Sequence, residues 1–98
     1  MSYISTLLPF EATILSNCEA AIERCLHTIE GGYGKRSCVV IKAKHEKYRL
    51  DKIVAELKLR ALRRSGENNE ALKSKLEATV ARKERMMQKL ENNHPEMF

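Results

Sequence analysis

From Cys38 to Arg64 the chain carries apolar residues on two sides of one helical period. That pattern constrains the fold more than any other feature of the sequence. At 100° per residue, Val39, Ala43, Leu50, Ile53, Val54, Leu57 and Ala61 form one face. Ile41, Tyr48, Ala55, Leu59 and Leu62 form a second face, roughly 150° away. A surface helix in a small protein has one such stripe. A helix with two is either sandwiched between two others or keeps one stripe for an outside partner. The start of the segment, Cys38-Val39-Val40-Ile41, is β-branched enough to suit a short strand. A lone strand needs a partner, however, and no second candidate occurs. One helix over 38–64 with Ser37 as its cap is therefore expected, a strand paired across a dimer being the alternative.

Two further helices flank this segment. The first is expected over 9–29, with Ser5 or Thr6 as cap, Pro9 in the first turn and Glu11 near the positive end of the dipole. Its stripe is Ile14, Cys18, Ala21, Cys25 and Ile29, and Gly31-Gly32 end it. The third is expected over 69–91, capped by Asn68 or Asn69 and stopped by Asn92-Asn93-His94-Pro95. Leu72, Leu76, Thr79, Met86 and Leu90 alternate four and three residues apart like a coiled-coil seam, with Lys83 intruding. The short connection over 65–69 makes the second and third helices an antiparallel hairpin. With 98 residues, 43% apolar and only 5% aromatic, the chain is read as one all-α domain over 1–98, a three-helix arrangement with a long hairpin. Residues 1–6 and 92–98 are expected as flexible tails.

Charge is unevenly spread. Residues 1–34 sum to −3, residues 35–64 to +8, and residues 65–98 to zero. Between the two stripes of the central segment, Lys42, Arg49, Lys52, Arg60 and Arg63 line one edge, with Glu56 among them. Lysine and arginine in such a row suit phosphates or an acidic protein surface. The bases of the third helix, Lys75, Arg82, Arg85 and Lys89, are expected to be balanced by local glutamates.

Several function classes are disfavoured. The order C-x6-C-x-H-x10-C-x6-H, from Cys18 to His45, lacks the close ligand pairs of a zinc site. Cys25 and His27 are two apart and diverge on a helix, so they make no nucleophile and base pair. Gly31-Gly32-Tyr33-Gly34-Lys35 lacks the spacing of a phosphate loop. Neither a catalytic site, a metal, a cofactor nor a small-molecule substrate is expected. Three cysteines, an odd number, suit a reducing compartment, and the N-terminus does not read as a signal peptide. The longest apolar run, Cys38–Ile41, is too short to span a bilayer. A cytoplasmic protein without a membrane partner is therefore expected.

The functional expectation is non-catalytic binding to an acidic protein, as a small helical adaptor or inhibitor, self-association included. The docking surface is expected to combine Tyr48, Leu59 and Leu62 of the second stripe with Lys42, Arg49, Lys52, Arg60 and Arg63 of the basic edge. The alternative is a nucleic-acid-binding protein that meets the phosphate backbone through the bases of residues 35–64.

Overall fold

The computed structural model describes residues 6–34, 37–66 and 68–98. Ser5, the expected tail residues 1–5, and Lys35 and Arg36 of the basic segment lie outside them. The described residues form three helices, α1 over Pro9–Glu30, α2 over Cys38–Ser65 and α3 over Glu70–Asn93, followed by a 3-10 turn over Pro95–Met97. No strand occurs among them, so Cys38-Val39-Val40-Ile41 is helical.

The caps explain where the helices start and stop. The Ser37 hydroxyl accepts the Val39 N–H at 3.2 Å, and α2 ends at Gly66, whose φ of 72° is open to glycine at little cost. The Asn69 side chain accepts the Leu72 N–H at 3.0 Å and starts α3. The start of α1 differs from expectation. The N-cap position is Leu8, which has no side-chain acceptor. Its own N–H is instead accepted by Glu11 Oε1 at 3.0 Å, the return half of a capping box. Thr6 is not a cap, since its hydroxyl donates to the Ala61 carbonyl of α2 at 2.7 Å.

α1 and α3 both pack on α2, and this placement corrects the expected docking stripe. Ala55, Leu59 and Leu62 are buried and form a core cluster with Leu76 of α3, with Leu72 and Val80 packed beside it. Ile41 is buried as well, and Tyr48 is half-buried. Leu59 is 7% exposed and Leu62 4%, so neither offers surface to a partner. The reason is geometric: α3 folds back antiparallel and covers the stripe that α1, on the opposite side, leaves bare. Leu50, Leu57 and Ala61 are buried on the other stripe, which faces α1. Two details shift. Val39 stands 46% exposed while Val40 is buried, and the innermost positions of α3 run Leu72, Leu76, Val80.

The C-terminal residues, expected as a tail, make contacts with α2. α3 runs on to Asn93, and the following turn lies against α2. The Phe98 ring stacks on His45 at 4.4 Å between centroids, and Lys42 Nζ donates to the Met97 carbonyl and sits 4.4 Å over the same ring.

Candidate functional site

The basic edge of α2 divides along its length into engaged and free cations. Near its start, Lys42 is held by Met97 and Phe98. About two turns further on, Arg49 bonds Glu46 through both Nε and Nη2, and this raises the guanidinium's affinity for its proton. Lys52 donates to Glu84 of α3, which likewise raises its pKa. At the C-terminal end, Arg60 and Arg63 are exposed and make no ion pair among the described residues. Of the eight side chains expected to bind a partner, then, Leu59 and Leu62 are core. Tyr48 is half-buried with Lys83 Nζ 5.3 Å from its ring centre. Lys42, Arg49 and Lys52 are occupied, and Arg60 and Arg63 remain available.

The start of α1 adds exposed apolar side chains, of which Ile14 alone belongs to the expected core stripe. Leu8, Phe10 and Ile14, at the start of α1, are 41%, 60% and 39% exposed. Glu11 lies within electrostatic reach of Arg60, and Cys18 within that of Arg49. Passing round α1 from Glu11 to Cys18 leads in the same sense to Ile14 and then Phe10, by steps of the helical period. That flank of α1 therefore borders the basic edge of α2. Next to it, Arg60 and Arg63 line a shallow groove between α2 and α3 with Glu56, Leu59, Glu77 and Val80. Exposed large apolar side chains beside free guanidiniums form the arrangement from which interface hot spots are built. A sign of it was present in the sequence. Phe10 and Ile14 are four apart on α1 and fall to one side of the line through Cys18, Ile22 and Ile29.

Arg64 anchors this end of the molecule. Its Nη1 donates to Glu11 Oε1 at 2.6 Å and to the Thr6 carbonyl at 2.8 Å, and its Nη2 donates to Glu11 Oε2 at 3.2 Å. Glu11 is 1% exposed. The Arg64 bonds, helped by the Leu8 N–H, outweigh desolvation and hold the carboxyl at about 2, below its ordinary 4.5. This pair fixes the first turn of α1, and with it Phe10, against the last turn of α2.

The α3 bases also differ from expectation. Lys75, Arg82, Arg85 and Lys89 are exposed and carry no ion pair among the described residues. Glu84, meant to balance them, bonds Lys52 across the hairpin instead. Lys83, the intruder in the seam, is 13% exposed and lies 3.2 Å from Asp51, which Lys47 also bonds at 2.8 Å.

The soft ligands are dispersed. Cys18 is buried, Cys25 half-buried and Cys38 exposed, all as free thiols, and burial raises the pKa of the first two. No group of three or more metal-ligating side chains gathers among the described residues. Nor does any helix among them have the length and apolarity to cross a membrane. Comparison with protein-family models, curated proteins and solved structures returns no match.

Proposed function

We propose that this chain is a non-catalytic binding protein that docks on an acidic surface of another protein through the end of the molecule where α1 begins and α2 finishes. The proposal rests on Arg60 and Arg63, exposed and free of ion pairs among the described residues, edging α2 on the flank where Phe10 and Ile14 of α1 are exposed. The apolar side chains supply the desolvated centre of an interface, and the guanidiniums select carboxylates at its margin. A protein partner is favoured over nucleic acid on this face because a phosphate backbone has no use for an exposed phenylalanine and isoleucine. The middle of the basic edge adds little in either case, since Lys42, Arg49 and Lys52 are already engaged.

The test uses the tagged chain to capture partners from the native host, with and without nuclease, alongside two variants. One is Arg60→Glu with Arg63→Glu, the other Phe10→Asp. The expected result is one protein, retained after nuclease and lost with each variant, while far-UV circular dichroism stays helical. Recovery that ignores both variants, or that vanishes with nuclease, would refute the docking face.

A further inference from the structure

We infer that the groove between α2 and α3 on the side of Thr79 binds the phosphate backbone of a double-stranded nucleic acid. This surface is separate from the one around Arg60 and Phe10. Lys47, Asp51, Lys58 and Lys83 line the groove, together with Thr79. Thr79 also belongs to the adjoining depression, which Lys75 and Arg82 border. Five cations thus surround a surface that holds one carboxylate. Asp51 is shared between Lys47 at 2.8 Å and Lys83 at 3.2 Å, so this triad keeps a net positive charge within the groove wall. Lys83 is only 13% exposed and Lys47 22%, so water screens that excess less than it would on an open surface. Lys58, Lys75 and Arg82 have no ion pair among the described residues.

The charge is directional as well as large. Lys75, Arg82 and Lys89 recur every seven residues, which sets them on one side of α3 at intervals of about 10.5 Å. The acids of α3 recur at the same interval, as Glu70, Glu77, Glu84 and Glu91, but roughly 160° round the helix. Two of those acids are accounted for on the other flank, where Glu84 bonds Lys52 and Glu77 lines the groove with Arg60 and Arg63. The result is a linear row of unneutralised bases with a positive groove alongside.

A linear polyanion is the chemistry that matches such a row, and duplex nucleic acid presents one charge per roughly 1.7 Å of axis. The surroundings argue against an acidic protein here. The groove's apolar lining, Val54, Ala55 and Leu76, is half-buried or buried, and the exposed large apolar residues, Leu8, Phe10, Ile14, Tyr33, Val39 and Phe98, belong to other parts of the chain. No aromatic ring lines the groove, so it offers no platform for the unstacked bases of a single strand. Binding through ammonium, guanidinium and hydroxyl groups to phosphates positions a duplex without reading its sequence.

The experiment is fluorescence anisotropy of a labelled 30-base-pair DNA duplex against the full chain, from about 50 to 200 mM salt. Duplexes of unrelated sequence should bind equally. Lys58→Gln with Lys75→Gln and Arg82→Gln should weaken binding at least about tenfold at low salt and flatten the log–log salt slope by about 2 to 3. Arg24→Gln should leave it within about twofold, because this exposed base lies on α1, away from the groove and the row. Should the first variant lose helical structure, Lys75→Gln with Arg82→Gln and Lys89→Gln, all on the exposed side of α3, supplies the same reading. No binding by the unaltered chain at low salt overturns the inference. So does an unchanged affinity in the glutamine variants, or competition by poly-glutamate as effective as by unlabelled duplex at equal charge.

Discussion

Glu11 is enclosed at 1% exposure yet stays ionised, because Arg64 and the Leu8 N–H together supply three bonds to its two oxygens. Its carboxyl titrates near 2 in the folded chain against an ordinary 4.5, so the unfolded form holds more protons within that window. The stabilisation is therefore complete above the unfolded value and is lost as pH falls toward 2. Glu11→Gln should lower the melting temperature at pH 7 and flatten the pH dependence of melting below pH 5, as thermal scans would record. A variant whose acid limb matches the unaltered chain would show that Glu11 is not the group responsible. Arg64→Gln should do similar damage by leaving the carboxylate enclosed without its main partner.

Among the elements, α2 is defined by what covers it. Leu59 and Leu62 meet Leu76 of α3, so a charge there has nowhere to go without parting the hairpin. Leu59→Asp with Leu62→Asp should abolish cooperative folding, read as loss of helical circular dichroism at 25 °C. Leu59→Ala should leave a folded protein about 2–4 kcal/mol less stable by urea titration. A folded double-aspartate variant that merely fails to bind a partner would restore the stripe as a docking surface. The caps contribute on a smaller scale. Asn69 accepts the Leu72 N–H, and Gly66 takes a left-handed conformation that a side chain would strain.

At the scale of the whole molecule, the two hydrophobic interfaces share one helix and lie on opposite sides of it. Leu50→Ala, on the side facing α1, and Leu59→Ala, on the side facing α3, should have costs that add to within about 0.5 kcal/mol. The measure is a double-mutant cycle from urea midpoints, and a larger coupling term would mean that the two sides do not act separately. The same arrangement separates the surfaces. Arg60, Arg63, Phe10 and Ile14 stand at one end, and the positive groove around Thr79 opens on the other side of the α2–α3 contact. If both proposals hold, the molecule bridges an acidic protein and a duplex, a role that needs no catalytic centre.

Most of the architecture follows from local chemistry that is legible residue by residue. Ser37, Asn69, Gly66 and Pro9 mark helix ends through bonds and backbone angles that depend on near neighbours, and the 3.6-residue period of Leu50, Leu57, Leu59 and Leu62 makes α2 a helix with two apolar sides. Partnership across long separations was not legible. Nothing near Leu59 or Leu62 in the chain says that α3, rather than a foreign protein, covers them. Nothing near Lys52 says that Glu84 will bond it, which leaves Lys75 and Arg82 bare. Arg64 and Glu11 are 53 residues apart, and only the packing of α1 against α2 brings them together. Periodicity determines which face of a helix is apolar, whereas the occupant of that face, and the charges left over once it is covered, depend on how the helices pack in space.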